Sequence, residues 1–524
     1  MQTMMKLKPL VFLPPFLLCV AVVVLNFADA DKFVEVMTAT HHWVSSTFGW
    51  LVSLLAFGML VLCGAIYFSP FGRTVLGGPT AKPLLTRWQM FAVVLTTNIA
   101  AGILFWCTVE PLSYLSKPPM NTHAAPNSPE AAQFAISTVY LHWTVTPYAI
   151  ASIVGLMFAF AFYNMQKPFS LGAPLSPLLG HYGEGKIAQV IDAVCLYALV
   201  AALAAALAGA SLLLGGGINH VFGFEGKPTN LMLALIIAAI MGTAVAAAVS
   251  GVTKGIRWIA DINTAFLIGF LALVLFLGPT RFILNFAVEG FGQFLGQYFQ
   301  KVLFTGAAHQ EQWPHDWTQM LFSAFFAWAP IMGVFLGRIA YGYTVRAFLV
   351  FNVLLPALFT GLWMAIICGA VVHMELFEHA KLGALLDPND PSRVLYAFLG
   401  RLPLTNFLVP ALLITAFLSF VTTADGNTDA MSNISSEGIS PEHTESGMFA
   451  KIAWGLLMAV FCWIMVTNFG LDGIRMLSNL GGFPALFLCL AISICAIRVV
   501  ANPARFDLFH KDNATQRNLE EIKS

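Results

Sequence analysis

The chain has 524 residues, of which 58% are apolar and only 10% charged, and its formal net charge is zero. Soluble domains carry about 25% charged residues, so this surface is not built for water and its solvent is largely lipid. A chain without net positive charge also lacks the footprint that binds phosphate backbones, which argues against nucleic acid as a partner.

Long apolar runs recur from end to end. Each approaches the roughly 20 residues that a helix needs to cross a hydrocarbon core, and the short alternating segments of a membrane β-barrel do not occur. The sequence predicts an all-α polytopic membrane protein with twelve spans. They centre on residues 9–28, 45–69, 87–109, 136–163, 187–216, 229–249, 257–278, 316–337, 347–374, 404–424, 449–468 and 475–498. The first run follows Lys6 and Lys8, and Ala28-Asp29-Ala30 resembles a cleavage site. Its apolar stretch is longer than a signal core, so it reads as an uncleaved first helix.

Loop charges orient the stack. Arg73, Lys82, Arg87, Lys167, Lys186, Lys254, Arg257, Arg338 and Arg346 fall in loops of one parity, with Arg498, Arg505, Lys511 and Arg517 in the tail. The opposite loops are poorer in base and carry Asp29, Asp31, Glu35, Glu130 and Glu311. Both termini are therefore expected in the cytoplasm, on a multi-pass protein of the cell (inner) membrane. Residues 280–303 are apolar at helical spacing with scattered polar positions and read as a helix lying at the outer interface; residues 393–401 suggest a shorter one. The eight cysteines sit inside apolar runs without C-x-x-C spacing, and read as small packing residues.

Mid-helix breaks free carbonyls that must be buried in protein or line a cavity. Three are expected: Thr96 to Gly102 in span three, Ala329-Pro330 with Gly333 in span eight, and Thr422 to Asn427 ending span ten. Broken spans at corresponding positions of two halves mark transporter sites. The halves would be spans 3–7 and 8–12. The organisation is then two leading helices in 1–86, a first five-helix unit in 87–278, the outer helix and loop in 279–315, a second unit in 316–500, and a tail in 501–524.

Five ordered stretches now carry a resemblance. Gly102 to Leu112, with Trp106, Glu110 and Pro111, is the first. Tyr140, His142, Trp143, Pro147 and Tyr148 form the second, and Ser250 to Trp258 the third. Trp328, Pro330, Gly333, Phe335, Arg338, Gly342, Thr344, Arg346 and Phe348 follow, then Phe420 to Asp425. Together the chain resembles the betaine/carnitine/choline transporter family over about residues 9–500. The resemblance implies a leucine-transporter-type inverted repeat behind two leading helices, a homotrimer, and secondary uptake of betaine-like solutes.

A quaternary ammonium has no hydrogen to donate, so aromatic faces must hold it. The family's cage draws on spans four and eight. Here Trp143 is retained, Tyr148 replaces a tryptophan, and Ala151 stands where an aromatic is usual. On span eight Trp328 is retained beside Phe325, and Ala324 replaces a ring. The implied box is smaller and less electron-rich. The bland alternative, rings that merely pack or face lipid, stands open in a chain with 45 phenylalanines. Span three would supply the other wall. Of the family's glycine-rich stretch only Gly102 remains, and Asn98 places an amide in mid-membrane, where it serves a solute or a helix–helix hydrogen bond.

Coupling by sodium would use oxygen ligands: the hydroxyls of Thr422 and Thr423, facing carbonyls near Thr96 and Ile99. Threonines that only bond back to their own helix are the alternative. Glu110, His142, Asp261 and Asp425 are the ionisable suspects for proton coupling instead, and sodium-independent exchange is the third option. No catalytic constellation or further metal site stands out, so an enzyme is not expected.

Overall fold

The computed structural model describes residues 7–98, 102–180, 185–250, 253–437 and 447–510. In chain order the helices are α1 Pro9–Ala28, α2 Ala30–Phe68, α3 Arg87–Asn98, α4 Gly102–Ser116, α5 Pro129–Trp143, α6 Val145–Ala159 and α7 Ser176–Leu179. Then come α8 Lys186–Phe222, α9 Asn230–Ser250, α10 Thr253–Leu277, α11 Thr280–Val302, α12 Met320–Ile339, α13 Val345–Leu349 and α14 Leu355–Leu376. The series closes with α15 Arg393–Leu399, α16 Thr405–Ile434, α17 Met448–Phe469, α18 Leu471–Ala501 and α19 Pro503–Phe506. Among the described residues extended pairing is limited to two isolated bridges, Leu7 with Ser436 and Val75 with Thr344.

Among the described residues ten helical stretches are long and apolar enough to cross a membrane, or eleven if Ala265–Leu277 and α11, bent by 105°, count as one broken span. This is a polytopic membrane protein. Of the expected third span, α3 and α4 are described; the break expected from Thr96 to Gly102 includes residues 99–101, which lie outside the described residues. The helix expected near residues 280–303 forms as α11 and packs on α5 and α14. Polar contacts fix it there. Tyr140 Oη donates to the Ala287 carbonyl at 3.1 Å, Ser137 Oγ to Gln293 Oε1 at 3.1 Å, and Gln133 bonds Glu289. Lys301, buried, donates to the Phe134 carbonyl, Ser137 and Thr138, with its ammonium 4.2 Å from the Phe134 ring centroid.

Two expected breaks are corrected. In α12 the helix runs through Pro330 to Ile339. Only one backbone bond is lost there, and packing against α6, α8 and α18 holds the rest. In α16 the helix continues through Thr422–Asn427 to Ile434. The polar side chains brace it instead of breaking it: Thr422 and Thr423 donate to Ser419, and Asn427 Nδ2 donates to the Thr423 carbonyl at 2.7 Å.

The unforeseen break lies in span four. Thr144, at φ −113° and ψ −130°, separates α5 from α6. Its cause is Pro147, which offers no N–H to the carbonyl four residues earlier, that of Trp143. Thr360 of α14 supplies the missing donor through its hydroxyl.

The centre of the molecule is the meeting of α6, α8, α12 and α18. Close approach requires glycine there. A Cβ on Gly333 would stand 2.6 Å from Val154 Cγ1, and one on Gly482 would stand 2.3 Å from the Ser323 carbonyl oxygen. α6 and α12 are thereby held side by side, and the rings they carry are brought together.

Candidate functional site

Above the α6/α12 crossing three rings converge. Phe325 lies edge-on to Trp143, with centroids 6.5 Å apart, and edge-on to Tyr148 at 6.2 Å. Trp143 is the last residue of α5 and Tyr148 the fourth of α6, so the Thr144 break sets their relative orientation. On α12, Phe322, Phe325 and Trp328 recur at three-residue spacing along one face. Phe322 meets the His142 ring at 6.3 Å. Phe326 is fully buried elsewhere, while Phe325 and Trp328 are half-buried.

The sequence-derived candidates thus divide. Trp143, Tyr148 and Phe325 form one cluster. Trp328 is one turn from Phe325, but among the described residues no ring packs against it. Gly102 opens α4, where an added Cβ would approach only Trp106, at 4.0 Å. Ile99 lies outside the described residues, as do the side chains of Thr96, Asn98 and Asp261. Thr422 and Thr423 sit half-buried on α16, each hydroxyl hydrogen donated back to its own helix, Thr422 also to Leu418 at 3.1 Å. The back-bonding alternative is what the helix adopts, and it leaves the oxygen lone pairs free to face a cation.

Behind Trp143 lies a polar network that the sequence did not disclose as a unit. Glu110 is 1% exposed and His142 fully buried. Trp143 Nε1 donates to Glu110 Oε1 at 2.9 Å. Tyr114 Oη donates to Glu110 Oε2 at 3.1 Å, and His142 Nδ1 lies 3.1 Å from the same oxygen. His142 Nε2 reaches Thr318 Oγ1 at 3.0 Å. Glu110 and Tyr114 stand four apart on α4, the spacing of one helical face. That spacing, with His142 adjacent to Trp143, is the signal in the sequence that could have found the network. Thr318 belongs to a π-helical turn, His315–Gln319, leading into α12, and nothing in the sequence marks it.

Further rings cover the network. Trp317 packs on Tyr114 at 4.9 Å and Trp106 on Trp317 at 6.2 Å. The Arg475 guanidinium lies over Trp317 at 4.5 Å while pairing with Asp472 at 2.8 Å. Among the described residues no group of three or more His, Cys, Asp or Glu side chains gathers as metal ligands would. The arrangement is suited to hold a soft cation against rings.

Residues 10–505 match the BCCT family model, described as betaine/carnitine/choline family transporter. An ectoine/hydroxyectoine transporter of Virgibacillus pantothenticus is 26% identical over 485 residues, covering 91% of this chain and 94% of its own. A glycine betaine transporter of Bacillus subtilis is 26% identical over 473 residues, 88% of this chain and 89% of its own. A high-affinity choline transport protein of Escherichia coli K12 is 26% identical over 454 residues, 86% of this chain and 65% of its own.

Proposed function

Because the chain belongs to the betaine/carnitine/choline transporter family, we propose that it is a secondary active transporter importing a quaternary-ammonium or related zwitterionic solute. The observation that carries this reading is the ring trio. Trp143 and Tyr148, on either side of a kinked span, meet Phe325 of a second span within 6.5 Å. A cation within about 6 Å of such a ring centroid gains roughly 2 kcal/mol per face once desolvated. Trp328, one turn on, is the fourth wall. Gly102 and Asn98, bordering residues 99–101, serve the rest of the solute.

Sodium is the proposed coupling ion. Thr422 and Thr423 supply adjacent hydroxyl oxygens whose hydrogens are already committed to Leu418 and Ser419, and Thr96 and Ile99 would face them. Around these sites we place twelve spans as an inverted repeat behind two leading helices. Both termini are cytoplasmic, in a cell (inner) membrane homotrimer.

Purified protein in proteoliposomes tests the reading. Uptake of radiolabelled choline or glycine betaine is expected to rise with an inward sodium gradient and to fall about tenfold or more in Trp143→Ala. If no methylated onium compound is taken up or competes, the cage assignment fails. Uptake that is indifferent to sodium and to Thr423→Ala removes the coupling assignment alone.

A further inference from the structure

We propose that Glu110 is a positioning and polarising residue for the onium site, acting through the indole N–H of Trp143 and biasing the site towards solutes of net positive charge. The inference rests on the onium reading above and extends it to charge selectivity.

A carboxylate inside a membrane protein is costly unless it is paired or used. Among the described residues the basic group paired with Glu110 is the imidazole of His142. Its surroundings consist of donors: indole, phenol and imidazole, all within 3.1 Å. Trp143 Nε1 donates to one of the Glu110 oxygens and Tyr114 Oη to the other, the surroundings of a carboxylate. Tyr114 Oη also lies 3.1 Å from His142 Nδ1, so the imidazole either donates to Glu110 from Nδ1 or accepts there from Tyr114. In the first tautomer Thr318 donates to Nε2, and in the second it accepts.

The anion therefore sits at the edge of the Trp143 ring and not in its face. Two effects follow. The bond fixes the plane of the indole, so that its orientation relative to Phe325 is set by α4. An N–H donated to an anion also pushes electron density into the ring, and a cation over that face feels a stronger quadrupole. Electrostatic terms of this kind are large where water is excluded. The walls are the trio of Trp143, Tyr148 and Phe325 with Trp328 one turn on, and alanine stands at 151 and 324. A buried negative charge behind the only retained span-four tryptophan offsets this loss of rings. A net-neutral zwitterion gains at its ammonium end and loses at its carboxylate end, whereas a net cation only gains.

The test uses the full-length protein with choline, of net charge +1, and glycine betaine, of net charge zero, as probes. Half-saturation, maximal rate and thermal unfolding are measured for each protein. Glu110→Gln keeps an acceptor for Trp143 but removes the charge. Its half-saturation for choline is expected to rise about tenfold, and that for glycine betaine about threefold or less. Trp143→Phe keeps a ring and removes the N–H. In that background Glu110→Gln is expected to change neither value further. Equal losses for both probes, losses confined to maximal rate, or the same loss with Phe at 143 would overturn the proposal. If Glu110→Gln fails to fold, Trp143→Phe alone decides: it must erase any preference for choline. A wild type that binds neither probe removes the onium site and this inference together; a wild type that binds both, with Glu110→Gln unchanged, removes this inference only.

Discussion

Gly333→Ala probes the crossing that holds the ring trio together. The added methyl would lie 2.6 Å from Val154 Cγ1 and 3.2 Å from the backbone nitrogen of Gly155. Carbon atoms pack at about 3.5–4.0 Å, so the helices must part by about 1 Å at this level. Val154 cannot turn aside, since a β-branched side chain on a helix has one strongly preferred rotamer, and the Gly155 backbone cannot yield at all. Overpacking of this sort costs about 1–3 kcal/mol, of which the better helix propensity of alanine returns about 1 kcal/mol. The fold therefore survives while its geometry changes. Part of the displacement reaches Phe325, whose centroids stand 6.2 and 6.5 Å from Tyr148 and Trp143, close to the limit of about 7 Å for favourable ring pairs. Half-saturation for the transported onium solute is expected to rise three- to tenfold, equivalent to about 0.7–1.4 kcal/mol, with little loss of protein. Val154→Ala in the same chain removes the 2.6 Å contact and should recover most of the affinity. An unchanged half-saturation in Gly333→Ala, or no recovery in the double variant, would refute this account of how α6 and α12 set the site.

Thr360→Val removes the donor to the Trp143 carbonyl and should destabilise the protein by about 1–2 kcal/mol. With Pro147→Ala, which restores a backbone N–H for that carbonyl, the same substitution should cost measurably less. Equal losses in both backgrounds, by denaturant titration in detergent, would separate Pro147 from the break at Thr144. Lys301→Met keeps the length of the side chain but not the ammonium. It should loosen α11 from α5, read as faster hydrogen exchange in residues 129–143 and 280–302, and an unchanged exchange pattern would show that the remaining polar contacts suffice.

The helices were legible because lipid imposes one rule: a spanning segment must be apolar and must satisfy its own backbone. Hydropathy therefore placed the long elements well, including α11, whose mixed pattern set it apart. Breaks were harder. Pro330 and the Thr422–Asn427 run looked like interruptions and proved to be continuous helix, because neighbours and intrahelical side-chain bonds make up for what each residue removes. Pro147 was visible, but its effect depends on Thr360, more than two hundred positions away, and a single sequence does not announce that pairing. For the same reason Trp143, Tyr148 and Phe325 could be nominated as rings of a likeness, whereas Glu110, Tyr114, His142 and Thr318 emerge as one network only when three elements are packed together.

Asn164 carries a consequence for the stretch that follows α18. Fully buried, it accepts from the Gly77 amide at 2.9 Å and donates to the Val75 carbonyl and to Asp507, at 3.2 and 3.0 Å. Its own carbonyl receives the Leu508 amide at 3.1 Å. Phe509 closes over Gly78, within 2.9 Å of where a Cβ would stand. The stretch after α18 is thus a cornerstone and not a trailing thread: it locks the turn following α2 against the foot of span four. A chain trimmed just past Ala501 would cost the buried Asn164 its bonds to Asp507 and to the Leu508 amide, and shortened forms of this protein should retain everything through Phe509.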